Sequence, residues 1–476
     1  MSKEPLPTNV PEAQEGPIAR FPWLTPRRML LLLIGWMGLF ALLSIAVANP
    51  FAAEPSASAP PDFARVMFLH GLLIGSAGLL SLLACSVLGL RSTHAQVWVL
   101  GGVLVATFLA AVGGIFDRSV PGSEVPMWIQ IFGFFALDEI LLALLIAIIA
   151  EWRRGRHELT IAASGLAAAS MFAAALMGHL AGWILEFGTG FPAVIGTYLT
   201  GVGFASGDDF TGALVGSHSH DMAVAVMSFA VILVAVQFGY GALAGTARAV
   251  VRLGLGMVAV GVVAMTVMYL AMGFTTWGPP TLFVSGPGGA NGIAGDDVVT
   301  GVFVMGGGVI VAAGLVMGRA VAARPVRIAA LWAWILSFVT VVVAGFAIEM
   351  NEAYFGAGDP SAAGAAKDAV FTWFHQDIGL FVLPAVVLVM LAVERLTEVK
   401  HQAWIGWATI GGASIAFLGG LVYILVDPST YGPGYVVSTA GLVVLGAALA
   451  GVLWWGAVGR PWHLHAPGPR HAPLVR

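Results

Sequence analysis

Apolar runs of about 20 residues or more follow one another along almost the whole chain, and this repetition restricts the fold more than any other feature. A run that long with few charges crosses a bilayer as a helix, because only a helix satisfies every backbone N–H and C=O within its own segment. Such runs are read near 29–49, 65–90, 96–116, 125–151, 159–186, 214–244, 249–274, 298–318, 327–349, 367–394, 403–426 and 434–457. Composition agrees: 59% of the 476 residues are hydrophobic and only 10% charged, where soluble domains carry about a quarter charged. The expected fold is therefore an all-α integral membrane protein, a single bundle of about twelve transmembrane helices over 28–458. A polar segment, 1–27, precedes it, and a tail, 459–476, follows. No cleavable-signal pattern is visible, so the first apolar run is expected to stay as an anchor. The 62 glycines suit close helix contacts in lipid.

Basic residues orient the bundle. Arg20, Arg27 and Arg28 precede the first span, and alternate loops then carry Arg91, the Arg153–Arg154–Arg156 group, and Arg248 with Arg252. The series continues through Arg319, Arg324 and Arg327, then Arg395 and Lys400, and ends with Arg460, Arg470 and Arg476. The intervening loops hold only Arg65, Arg118 and Lys367. Twelve spans with both termini cytoplasmic satisfy this alternation, as a multi-pass protein of the plasma (inner) membrane would. The lipid bilayer is thus the first partner, and no basic stripe outside these loops supports nucleic-acid binding. One cysteine, Cys85, rules out an intrachain disulfide framework and reads as a small buried hydrophobe. The Gly-rich stretch Ser285–Gly295 lacks a Gly-Lys-Ser/Thr ending and reads as a flexible outer loop rather than a phosphate cradle.

With orientation set, each histidine acquires a depth. His70 lies just inside the second span, His218 and His220 just inside the sixth, His375 just inside the tenth, and His179 near the outer end of the fifth. Five imidazoles on four helices then share one level in the outer part of the membrane, and ionisable groups at such depth usually face an interior site. These five are the candidate metal or haem ligands; the blander alternative for each is a hydrogen-bonded interfacial residue. Acidic residues join the layer as ring-orienting or proton-transfer groups: Glu186, two helical turns after His179, Asp221 beside His220, and Asp377 beside His375. Glu349, Asp208 and Asp209 read as outer-interface carboxylates in water. His218 and His220 point about 200° apart on a helix, so they serve two partners rather than one metal. Asp138 and Glu139 form a separate pair near mid-membrane in the fourth span, suited either to a proton path or to an interhelical hydrogen bond.

Three segments carry a resemblance. Arg65-Val-Met-Phe-Leu-His70-Gly-Leu-Leu-Ile, His218-Ser-His220, and Thr372-Trp-Phe-His375-Gln-Asp-Ile-Gly-Leu-Phe-Val-Leu-Pro384 are similar to ligand-bearing segments of the haem-copper oxidase superfamily, whose catalytic subunit also has twelve spans. The resemblance implies that His70 and His220 bracket a low-spin haem, that His218 ligates a second haem, and that His375 faces a metal. The order of the last two segments is reversed, no adjacent His-His pair follows, and Gly379 stands where the family has a tyrosine. Haem ligation is therefore carried further than a copper centre. Arg65 and Arg118, the outer arginines, suit haem propionates as well as ordinary surface positions. The expectation is one or two b-type haems, with a non-haem copper or iron as an additional option. An electron-donor protein or a quinone would be the redox partner. The rival expectation is a proton-coupled transporter or metal-ion permease using the same His/Asp/Glu layer.

Overall fold

The computed structural model describes residues 26–47, 63–91, parts of 99–109, 125–187, 201–204, 206–278, 281–285, 291–321, 324–355, 374–397, 399–425 and 432–458. Eleven helices are described: α1 Pro26–Val47, α2 Phe63–Val87, α3 Val125–Arg153, α4 Leu159–Phe187, α5 Gly207–Gln237 and α6 Gly245–Phe274, then α7 Gly295–Met317, α8 Pro325–Phe355, α9 Leu383–Leu396, α10 Val399–Leu425 and α11 Pro433–Val458. Among the described residues, nine helices are long and apolar enough to cross a membrane, in the places expected for spans four to twelve. The protein is a multi-pass, all-but-wholly helical membrane bundle. The segment expected as a flexible loop departs from this: strands β1 Thr281–Ser285 and β2 Asn291–Ala294 pair antiparallel across it, with Ser285 opposite Asn291.

Burial sorts the helices. Of the apolar window of α5, 83% is buried inside the bundle, against 22% for α11. A helix apolar all round and enclosed all round belongs at the centre. Helices α2, α4, α6, α7 and α9 pack around α5, and Phe229, Ile232 and Leu233 are fully enclosed there. On α11, by contrast, Val443 and Trp454 stand out from the bundle, as lipid-facing side chains do. Contacts between neighbours rely on small residues: a Cβ at Gly419 would enter the backbone of Ser438, and one at Gly441 the backbone of Ala416. These positions let α10 and α11 approach closely, in the manner of small-residue seams in lipid.

The start of α5 differs from expectation. The hydropathy reading opens this span at 214 and leaves Asp208 and Asp209 in a loop. In the structure Ser206 caps the helix, its Oγ accepting from Asp209 N at 3.1 Å and donating to Asp209 Oδ2 at 2.9 Å. This reciprocal cap begins the helix seven residues earlier, so His220 lies about 20 Å along α5, near its middle rather than at its mouth.

At the far end of α5, charged groups tie helix ends together. Glu394 Oε1 accepts from Arg324 Nη1 and Arg327 Nε, each at 2.8 Å, and Glu394 Oε2 accepts from Gln237 Nε2 at 3.1 Å. Arg395 Nε in turn donates to Gln237 Oε1 at 3.0 Å, and Arg327 stacks over the Phe238 ring at 4.8 Å. One carboxylate thereby joins α5, α8 and α9. A second cluster forms on fully buried Glu151, which accepts from Arg91 N at 3.0 Å and Arg154 Nη1 at 2.6 Å. Removing Glu394 leaves Arg327 half-enclosed without its counter-charge. Glu394→Ala is expected to cost about 2–3 kcal/mol, read as a lower thermal-denaturation midpoint in detergent. Arg324→Ala, at a side chain 57% exposed, is expected to cost about 0.5 kcal/mol or less.

Candidate functional site

Five consecutive residues of α5, Ser217–Asp221, set the chemistry of the bundle's interior. Ser217 and Asp221 are four apart and share the face toward α4 and α6. Asp221 is fully buried; its Oδ1 accepts from Ser170 Oγ of α4 at 2.9 Å, with Thr266 Oγ1 of α6 at 3.3 Å. Thr266 also lies 2.8 Å from Ser170 Oγ, so three helices meet on one carboxylate. Its other oxygen, Oδ2, has no hydrogen-bond partner among the described residues.

The two histidines of this stretch turn away from each other, as their spacing requires. His218 lies against α4, its Nδ1 2.7 Å from Ala174 O, with the ring over Gly178. His220 turns toward α6, its Nδ1 2.9 Å from Gly216 O and its ring centroid 5.7 Å from that of Tyr269. A carbonyl oxygen only accepts, so in both rings Nδ1 carries the proton, and in His220 Nε2 is left to bind something else. This is the arrangement by which proteins fix the tautomer of a metal-bound imidazole.

His220 lines a cavity of about 400 Å³ between the first half of α5, the end of α6 and the start of α7. Gly212, Ala213 and Gly216 make its α5 wall, and Phe204, Met272 and Trp277 give it apolar sides. Ser217, Thr275, Tyr269 and Asp296 supply the polar groups. Tyr269, 2% exposed, donates to Asp296 Oδ2 at 3.2 Å, while Asp296 Oδ1 has no partner among the described residues. Asp296 and Asp297 occupy the first turn of α7, just before a π-helical turn, Thr300–Met305. An inserted π turn re-aims the side chains on either side of it and is frequent at functional sites.

A second polar locus lies between α3 and α4. Asp138 Oδ2 and His179 Nδ1 are in close contact, and the His179 ring stacks on Phe135 at 4.7 Å and meets Phe134 edge-on at 5.8 Å. The expectation of an interhelical contact at Asp138 thus finds its partner in His179, a residue placed by sequence in another layer. Glu139 is exposed on the outside of α3.

The remaining sequence candidates fall outside what is described. His70 and Arg65 are within α2, Glu186 within α4, and His375 and Asp377 within a π-helical stretch, Phe374–Val382, that leads into α9, but the side chains of all five lie outside the described residues, as does Arg118 entirely. Of the five proposed ligands, the three with described side chains diverge: His179 to Asp138, His218 to α4, His220 to the cavity. Among the described residues no group of three or more His, Cys, Asp or Glu side chains gathers as a metal ion needs. The one imidazole lining the cavity is His220, with the small residues Gly212, Ala213 and Gly216 on its own helix and Phe204, Tyr269, Met272 and Trp277 on the other sides. Sequence reasoning missed Tyr269, Asp296, Ser170 and Thr266. The adjacent acids Asp296–Asp297 at the entrance of a span were a usable signal; lone hydroxyl residues within apolar runs were not.

Comparison with protein-family models, with curated proteins and with solved structures finds no match to this chain. What the site does therefore rests on its own geometry. The seat of His218 is directly testable. A Cβ at Gly178 would overlap the imidazole, whereas one at Gly182, a turn on, meets nothing. Gly178→Ala is expected to destabilise by about 1–3 kcal/mol. Gly182→Ala should be neutral or stabilising by up to about 1 kcal/mol. Thermal denaturation of both variants in one detergent checks the contrast.

Proposed function

We propose that this chain is a plasma-membrane redox protein that binds b-type haem through the histidines of α5, with His220 as the leading axial ligand. The observation that carries this reading is the Nδ1 of His220 held by a backbone carbonyl beside a cavity, which leaves Nε2 for iron. The elements bearing His70 and His375 support it, because α2 and the π-helical stretch both pack against α5 and against each other. Twelve spans with cytoplasmic termini would put this layer toward the outer face, where Arg65 and Arg118 suit propionates. A second haem at His218, or a copper or iron near His375, extends the same reading. A bound haem would supply one-electron transfer, from an electron-donor protein or a quinone. The chain's own groups then have defined tasks. Gly216 fixes the His220 tautomer, Asp221 pins the helix against α4 and α6, and Tyr269 with Asp296 holds a proton beside the cavity.

Reduced-minus-oxidised absorption spectra of protein purified from haem-replete cells test this. The expected result is a Soret band with a reducible α-band, lost or strongly diminished in His220→Ala while the protein still elutes as a folded species. Absence of any haem band from folded wild-type protein refutes it.

A second reading, a proton-coupled transporter or metal-ion permease, is favoured by one specific observation: Asp138 Oδ1, Asp221 Oδ2 and Asp296 Oδ1 are all buried without a hydrogen-bond partner among the described residues. Carboxyl oxygens left so inside a membrane bundle are positions for protons or cations. Proteoliposomes carrying a pH-sensitive dye distinguish it. Cation-dependent proton flux that disappears in Asp221→Asn is the outcome this reading predicts, and flux indistinguishable from empty liposomes argues against it.

A further inference from the structure

The Asp138–His179 pair lies outside the His220 cavity, and of it only Asp138 Oδ1 enters the second reading above. Both groups sit deep in their helices, Asp138 in the middle of α3 and His179 about 12 Å from the end of α4. Asp138 is 7% exposed, and its only described polar contact is His179. Beyond that contact, Asp138 Oδ1 and His179 Nε2 are both buried and have no hydrogen-bond partner among the described residues. Phe134 and Phe135 close over the ring, and α3 exposes Phe132, Phe135 and Glu139 away from the bundle.

The surroundings do not neutralise the pair. From α2 the only titratable group among the described side chains is Cys85, and the described part of 99–109 has none. On α3 itself Glu139 points outward and Glu151 belongs to the arginine cluster at the helix end. From α5, His218 rests on Gly178 with Nδ1 on Ala174 O, and Asp221 is held by Ser170, nine residues before His179. From α6, Thr266 joins Asp221 and Tyr269 joins Asp296. No described arginine or lysine reaches the pair. A carboxylate beside a neutral imidazole carries one uncompensated negative charge in an apolar setting, which is costly. One added proton brings the pair to net zero, and two groups in such contact take up that proton jointly.

We propose that Asp138 and His179 form an intramembrane proton-binding site, which takes up and releases one shared proton independently of the α5 cavity. Asp138 Oδ1 and His179 Nε2, the atoms without partners, are where that proton enters and leaves. The inference stands whether or not the chain binds haem.

The probe is dicyclohexylcarbodiimide, which reacts with protonated carboxyl groups in apolar surroundings. Full-length protein in nanodiscs is labelled across a pH series, digested, and modified residues are assigned by tandem mass spectrometry that separates position 138 from 139. The expected result is labelling of Asp138 that increases as pH falls. In His179→Gln the pH profile of Asp138 labelling is expected to change, because the imidazole that shares the proton is gone. Asp138→Asn should lose modification at 138 and keep whatever forms at Glu139. His179→Asn, checked for folding by gel filtration, repeats the change if the glutamine variant proves unstable. Labelling confined to Glu139 at every pH, or an Asp138 profile unmoved by loss of the imidazole, overturns the proposal.

Discussion

A central helix that carries His218, His220 and Asp221, and is wholly buried from 221 to 235, must have its polar groups satisfied largely by protein. Much of the bundle's interior follows from that requirement. Asp221 would be prohibitively expensive alone in an apolar core, and Ser170 and Thr266 from two different helices supply hydrogen bonds to it. His218 needs room against α4, and Gly178 provides it. His220 needs an acceptor for Nδ1, and its own helix offers Gly216 O one turn earlier. These contacts make α4, α5 and α6 a packed unit, with the other helices arranged around it.

The two ends of α5 then differ in chemistry. Toward one end lie the cavity, Tyr269 and Asp296; toward the other, Gln237 meets Glu394 and Arg395, and Arg324 and Arg327 bind the same Glu394 carboxylate. About 25 Å of helix separates His220 from Gln237, and its residues 222–235 are buried and apolar apart from Ser228. Within the described residues no polar chain links the two ends along α5. The Asp138–His179 pair lies to one side of this axis, between α3 and α4, and supplies proton chemistry of its own.

Span positions were legible because hydropathy over about 20 residues is a strong signal that tertiary contacts seldom override. Helix starts were less so: the Ser206–Asp209 cap looked like loop composition, and only its reciprocal hydrogen bonds reveal it as the start of α5. The opposed directions of His218 and His220 followed from helix geometry alone. The pairing of Asp138 with His179 was not legible, since both residues were visible but no spacing rule says which helix packs beside which. For the same reason Tyr269 and Asp296 escaped notice. A tyrosine late in one apolar run and an aspartate at the start of the next become a pair only through the packing of α6 on α7.

The organisation of the bundle depends most on α5 being enclosed by protein with its polar stretch turned inward. Site-directed spin labelling along positions 214–235, in a Cys85→Ala background in nanodiscs, measures this through collision with oxygen, which concentrates in lipid, and with a water-soluble nickel chelate. Enclosure predicts low oxygen accessibility at every position from 221 to 235, with nickel contact confined to the cavity wall around 216 and 220. Oxygen accessibility that rises and falls with a helical period along 221–235 would place one face of α5 in lipid and contradict the account.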